Sequence, residues 1–141
     1  MVPTSFAHVG VTCRDQKVIE DFYTTHFGFT RARIVPLGEE VIIFLKSGDL
    51  HLELFKARED RPIPAPTADG YAFSGLRHLA FTVENVEAKI AEMGSDAKVT
   101  HGPAKLDDFL EGWAAVWLAD PEGNIIELSE GYVDEENPPV D

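Results

Sequence analysis

The chain has 141 residues, of which 44% are hydrophobic and 26% are charged, a balance typical of one folded domain and unlike that of a disordered chain. Twelve Lys and Arg residues oppose 25 Asp and Glu residues, and the formal charge of −13 argues against nucleic-acid or anionic-membrane partners, because their phosphates would be repelled. A single cysteine, Cys13, excludes an intrachain disulfide and, with no signal peptide or long apolar run, predicts a cytoplasmic protein.

The first predicted strand spans Phe6–Thr12 and alternates between two faces. Val9 and Val11 lie on one face, which we expect to pack on the following helix. His8 lies on the other face, among glycine and threonine. Such a face is too small and polar to fill a core, so it is predicted to line a cavity or to face solvent.

A helix is predicted next, because Asp15 can cap its first N–H groups and Gly28 can end it after about His26. Its apolar stripe consists of Val18, Ile19, Phe22 and Tyr23. Three strands are predicted to follow, near Thr30–Pro36, Val41–Lys46 and Leu50–Phe55.

The same order returns after a proline-rich segment. A strand at Leu76–Val83 again presents a histidine, His78, on a face of small residues. Asn85 can cap a second helix that Gly94 ends. The last predicted strands lie near Ala97–Thr100, Ala114–Leu118 and Asn124–Ser129.

The sequence therefore predicts an α+β fold of two βαβββ modules, which form a cupped mixed sheet with the helices outside. We expect the first module at residues 1–57, a proline-rich linker at 58–74, the second module at 75–131 and an acidic tail at 132–141. His8 matches His78 and Glu53 matches Glu127 between the two modules. A period this long indicates a duplicated half-domain.

The two glutamates lie within apolar strands, as Leu52-Glu53-Leu54 and Ile126-Glu127-Leu128. A carboxylate in such surroundings is costly to bury unless it is paired or binds a metal. Two imidazoles and two carboxylates suit a divalent ion such as zinc, nickel, iron or manganese. The alternative is that duplication copied the fold and left these residues without a role.

Three stretches resemble the glyoxalase/bleomycin-resistance/dioxygenase group, the vicinal oxygen chelate superfamily. They are Phe6-Ala7-His8-Val9-Gly10-Val11, Gly75-Leu76-Arg77-His78-Leu79-Ala80-Phe81 and Asp120-Pro121-Glu122-Gly123-Asn124-Ile125-Ile126-Glu127-Leu128. The resemblance covers nearly the whole chain. It implies two modules that each form half of a cup around a metal ion, usually in a homodimer.

The metal-ligand set resembles that of bacterial-type glyoxalase I, which binds nickel or zinc through residues equivalent to His8, Glu53, His78 and Glu127. The resemblance implies a lyase or isomerase that moves a proton on a small α-hydroxycarbonyl or thiohemiacetal substrate. Glu127 is the candidate base, and Glu53 is its symmetry equivalent. The arginine and asparagine expected to hold glutathione are replaced by Thr12 and Ala57, which favours another thiol or a CoA ester.

Further residues are candidates for substrate contact, namely His51, Arg77 and Trp113.

Other interpretations of the function stay open. A methylmalonyl-CoA epimerase-like enzyme tends to have glutamine at the position of Glu53, and an extradiol dioxygenase-like enzyme binds iron without needing it. A metal-free drug-binding protein of the bleomycin-resistance type is the alternative that is not an enzyme. The sequence does not decide whether the site lies within one chain or is shared across a dimer.

Overall fold

The computed structural model describes residues 1–140 and divides the chain into two compact units, with the boundary between Pro64 and Ala65. Each unit contains one α-helix and one four-stranded mixed sheet, in the order βαβββ. The predicted α+β class of two such modules is thereby confirmed. Within the described residues, no helix is long and apolar enough to cross a membrane.

The first unit contains one helix and four strands: β1 (Val9–Cys13), α1 (Gln16–His26), β2 (Thr30–Leu37), β3 (Glu40–Ser47) and β4 (Leu50–Lys56). The strands are ordered β1-β4-β3-β2. Strand β1 is parallel to β4, and the other pairs are antiparallel. This order places β1, which follows His8, directly beside β4, which carries Glu53.

Helix α1 begins and ends as its sequence predicts. The Asp15 carboxylate accepts hydrogen bonds from the backbone N–H groups of Lys17 and Val18. Gly28 follows the helix with φ +69°, a conformation that favours glycine. Ile19, Phe22 and Tyr23 are buried, whereas Val18, predicted in the same stripe, is 46% exposed because it lies at the edge of the packed face.

The second unit repeats the arrangement as β5 (Leu79–Thr82), α2 (Val86–Met93), β6 (Lys98–Lys105), β7 (Ala114–Ala119) and β8 (Ile125–Glu130). A 3₁₀ turn at Gly94–Asp96 follows α2. The strand order is β5-β8-β7-β6, with β5 parallel to β8.

Two side chains hold the N-terminus of α2. The Asn85 side chain accepts a hydrogen bond from Ala88 N–H, and the Glu130 carboxylate accepts one from Val86 N–H at 2.8 Å. One face of the sheet in this unit is buried through Val116, Leu118, Ile126 and Leu128. The opposite face carries a smaller cluster of Ala115, Trp117 and Ile125.

Three strand boundaries differ from the prediction by more than a single residue. Strands β1 and β5 begin just after His8 and His78, because the ladders with β4 and β8 start at Val9 and Leu79. Strand β6 continues to Lys105, beyond the predicted Thr100, because an irregularity in its pairing between His101 and Ala104 accommodates the intervening glycine and proline.

Candidate metal-binding half-sites

The first half-site consists of His8, Glu53 and Phe44. His8 Nε2 lies 2.7 Å from Glu53 Oε2, which is hydrogen-bond distance. Phe44 lies opposite Glu53 on β3, and its ring meets the His8 ring edge to face at 5.9 Å. The Glu53 side chain is only 15% exposed, whereas that of His8 is 41% exposed. The His8 imidazole is therefore the more exposed member of the pair, and the Glu53 carboxylate is the more buried one.

The second half-site consists of His78, Glu127 and Trp117. His78 Nε2 lies 3.7 Å from Glu127 Oε1, and both side chains are largely buried. Trp117 lies opposite Glu127 on β7, and its ring meets the His78 ring at 6.4 Å. The two half-sites thus contain the same arrangement of histidine, glutamate and aromatic ring.

Strand register explains why this arrangement recurs. In the first unit Glu53 pairs with Gly10, the residue two positions after His8. In the second unit Glu127 pairs with Ala80, two positions after His78. Because side chains two residues apart share a face of a strand, each histidine lies on the same face as its glutamate. Each module therefore brings its histidine and its glutamate to one face of its sheet.

The environment of His78 suits a cation. Its Nδ1 lies 2.6 Å from the carbonyl oxygen of Asp69. A carbonyl oxygen only accepts hydrogen bonds, so Nδ1 carries the hydrogen, and in the neutral ring Nε2 carries a lone pair. Nε2 and the Glu127 carboxylate then face each other as two acceptors, at a distance beyond the usual hydrogen-bond range of about 2.7–3.2 Å.

The spacing of both pairs also permits shared coordination. Two donors bonded to one zinc ion at about 2.0–2.2 Å can lie no more than about 4.4 Å apart. The distances of 2.7 Å in the first half-site and 3.7 Å in the second both satisfy this limit. Among residues 1–140, the structure forms no group of three or more His, Cys, Asp or Glu side chains that could hold a metal ion. Each unit contains one pair of candidate donors, one histidine and one glutamate.

The residues predicted to contact substrate have varied surroundings. His51 is partly buried on β4, two positions from Glu53 and opposite Lys46. Trp113 donates a hydrogen bond through Nε1 to Ser129 Oγ at 3.0 Å. The Arg77 guanidinium is engaged by the Asp69 carboxylate and by the carbonyl oxygen of Tyr71. The hydrogen bonds that Arg77 donates to Asp69 hold the pKa of the Asp69 carboxyl below its ordinary value.

A cavity of about 570 Å³ in the first unit borders the strand face that carries Glu53. Thr12 and Phe55, which pair across β1 and β4, lie on its wall on the side of Glu53. Charges of both signs complete the lining: Glu40, Lys56, Arg58 and Glu59. Thr12, which stands where an arginine was expected to hold glutathione, therefore borders a cavity lined by two cationic side chains, Lys56 and Arg58.

Two features of the second half-site escaped the sequence analysis. The Asp69 carbonyl lies in the proline-rich segment, and a backbone acceptor leaves no mark in a side-chain pattern. Trp117 is buried, but its Nε1 has no hydrogen-bond partner among the described residues, and the tilted ring of His101 lies beside it with the ring centroids 5.2 Å apart. Strand alternation could have placed Trp117 beside Glu127, since the two residues pair across the ladder.

The fold and these half-sites define a class of two-module α+β proteins with one His–Glu pair in each module. The sequence model of the Glyoxalase/Bleomycin resistance protein/Dioxygenase superfamily matches residues 5–128. This match covers most of the chain, and the protein belongs to that superfamily.

Similar proteins share the fold over nearly their whole lengths. The chain is 28% identical over 130 residues to the uncharacterised protein YaeR of Escherichia coli (strain K12). The alignment covers 87% of this chain and 93% of YaeR. A glyoxalase family protein from Enterococcus faecalis superposes with a TM-score of 0.70 at 29% identity, covering 92% of this chain and 100% of that one. A lactoylglutathione lyase from Agrobacterium tumefaciens has a TM-score of 0.59 at 24% identity, covering 93% and 96% of the two chains, which shows a common fold.

Proposed function

We propose that the protein is a metal-dependent lyase or isomerase of the glyoxalase I type, acting on a small α-hydroxycarbonyl or thiohemiacetal substrate. One observation carries the proposal: the His–Glu pair occurs at the same register position in both units. A duplicated fold without a function would have no reason to keep two costly, partly buried carboxylates beside imidazoles.

The proposed metal ligands are His8, Glu53, His78 and Glu127, with each unit supplying two. Nitrogen and carboxylate donors suit nickel or zinc, with iron or manganese as the alternatives. When bound, the metal supplies Lewis acidity, which makes a C–H bond beside a coordinated carbonyl easier to deprotonate. The two pairs meet either within one chain or across a homodimer.

Glu127 is the proposed base that moves the substrate proton. Its Oε1 lies 3.7 Å from His78 Nε2, beyond hydrogen-bond distance, whereas Glu53 Oε2 lies 2.7 Å from His8 Nε2. Glu127 is therefore the carboxylate less engaged by its histidine and more available to accept a proton. Glu53 is the alternative base, because it holds the equivalent position in the first unit.

The proposed substrate carries a thiol other than glutathione, or a CoA ester, because Thr12 and Ala57 lack the contacts expected for glutathione. His51 and Trp113 are the proposed substrate contacts, and the cavity beside Thr12 offers Lys56 and Arg58 to an anionic carrier. A cytoplasmic homodimer completes the proposal. The buried Cys13 fits a reducing compartment, and the dimer follows the resemblance to the superfamily.

The decisive experiment is turnover by the metal-reconstituted protein. Methylglyoxal with glutathione, methylglyoxal with other thiols, methylmalonyl-CoA and a catechol are assayed side by side after loading nickel, zinc, iron or manganese. We expect turnover with a thiol adduct or a CoA ester, and a loss of at least about 100-fold in kcat in Glu127→Gln, as for other acid–base groups.

The matched control is Glu84→Gln, which removes an exposed carboxylate of the same unit. This variant should keep the wild-type kcat. Turnover of catechol alone with iron would replace the proposal by a dioxygenase. Tight binding of a drug with no turnover and no metal would replace it by a ligand-binding protein.

A further inference from the structure

We infer that Arg77 is a positioning residue: it clamps the turn at residues 67–71 so that the Asp69 carbonyl fixes the tautomer of His78. The inference rests on the proposed function, in which His78 binds the metal through Nε2. It gives Arg77 a role that acts through His78 in place of direct contact with the substrate.

The tautomer matters because a neutral imidazole has one hydrogen and one lone pair. Only the nitrogen with the lone pair can bind a metal ion. The hydrogen bond from His78 Nδ1 to the Asp69 carbonyl, 2.6 Å long, places the hydrogen on Nδ1 and leaves Nε2 as the donor atom toward Glu127. Partners of this kind orient metal-binding histidines and raise their affinity.

The Arg77 guanidinium holds the turn at two points. Its Nε and Nη2 donate to the two Asp69 carboxylate oxygens at 3.2 and 2.8 Å, and its Nη1 donates to the carbonyl oxygen of Tyr71 at 2.9 Å. The planar fork thereby bridges Gly70, and lysine has no equivalent geometry. Because Arg77 immediately precedes His78, the clamp ties the turn directly to the histidine it orients.

The backbone of the turn is shaped to accept this clamp. Gly70 has φ +128°, and a Cβ there would collide with the main-chain carbonyl oxygen of Arg77. The Gly70 N–H donates to the carbonyl oxygen of Thr67 at 3.0 Å, and Thr100 Oγ1 donates to that of Ala68 at 2.5 Å. The turn is therefore anchored on β6 of the second unit through Thr100 and lies close against Arg77.

The first half-site is built differently. Its histidine is preceded by Ala7, which has no side chain to clamp a turn, and His8 Nε2 is within hydrogen-bond distance of Glu53. The equivalent nitrogen of His78 stands 3.7 Å from its glutamate. The clamp thus distinguishes two histidines that occupy equivalent positions in the duplicated fold.

The test measures the His78 tautomer by ¹⁵N NMR of the metal-free protein at about pH 8, where an ordinary histidine is neutral. A ring nitrogen that carries hydrogen and one that carries a lone pair have well-separated chemical shifts. We expect wild-type His78 to carry its hydrogen on Nδ1. In Arg77→Ala the form with hydrogen on Nε2 should become populated, and Arg77→Lys should give an intermediate result.

The matched control is Arg31→Ala. Arg31 forms a two-point pair with Glu20 in the first unit, so its loss reproduces the cost of a broken ion pair far from His78 in the chain. The His78 tautomer should be unchanged in this variant. Zinc titration of the same proteins should show a Kd raised about 10–100-fold by Arg77→Ala and unchanged by Arg31→Ala.

The two readouts separate the clamp from the proposed function. Hydrogen on Nε2 in the wild type, an unchanged tautomer in Arg77→Ala, or a changed tautomer with unchanged zinc affinity would each overturn the positioning role. A changed tautomer in a protein that binds no metal in any form would retain the clamp and overturn the proposed metal enzyme. If Arg77→Ala does not fold, Asp69→Asn and Arg77→Lys provide the same comparison.

Discussion

At the residue scale, the charged side chains that are buried among residues 1–140 are held by another group. Glu20 is the clearest case outside the half-sites, because its side chain is 7% exposed on a helix that also buries Ile19, Phe22 and Tyr23. Arg31 meets it with two hydrogen bonds of 2.9 and 2.8 Å. The pair raises the pKa of Arg31, so the guanidinium stays charged at any ordinary pH.

Loss of this partner should destabilise the fold. In Arg31→Ala the Glu20 carboxylate stays buried without its two-point donor, and we expect the free energy of unfolding to fall by about 1–3 kcal/mol in urea titration. Lys17→Ala is the control, since its ammonium is exposed and 3.5 Å from Glu20; it should leave the urea midpoint nearly unchanged. Equal losses in the two variants would show that Arg31 has no special role.

At the element scale, local sequence signals determine where each helix begins and ends, and tertiary contacts determine what it packs against. Helix α1 begins where Asp15 accepts the first N–H groups. In Asp15→Ala those donors lose their acceptor, and the unfolding free energy should fall by about 1 kcal/mol. Asp15→Ser, which retains an acceptor, should recover most of the loss in the same thermal or urea measurement. An Ala variant as stable as the Ser variant would contradict this role.

The same local signals explain how much of the structure the sequence predicts. Caps at Asp15 and Asn85, together with apolar alternation, predict both helices and the order of helices and strands along the chain. Strand register then places each glutamate beside its histidine. The strand limits at His8 and His78 could not be predicted, because alternation continues past the point where the partner strand stops pairing.

The clamp around His78 was equally hidden from the sequence. Its acceptor is a backbone carbonyl in a segment whose prolines predict a linker, and its function depends on the close approach of Gly70 to Arg77. A pattern of side chains shows which residues share a face of a helix or strand. The contacts that a loop backbone makes depend instead on the folded path of the chain.

At the scale of the whole molecule, equivalent apolar side chains remain exposed in the single chain. Phe6 and Leu76 each lie two residues before the histidine of their module, and they are 72% and 84% exposed. Burial of these two side chains against a partner would be favourable. They support the proposed homodimer.

We therefore expect the wild-type protein to sediment at micromolar concentration as a species of twice the chain mass of 15.6 kDa. Combining Phe6→Ser with Leu76→Ser removes two apolar anchors and should shift the equilibrium toward the monomer. Phe109→Ser is the control, since this residue is 80% exposed on the loop between β6 and β7 and has no counterpart at the matching positions before the two histidines. A wild-type protein that sediments only as the monomer would refute the dimer. A dimer that the double variant leaves intact would place the interface on another surface, because the two anchors would then contribute nothing to association.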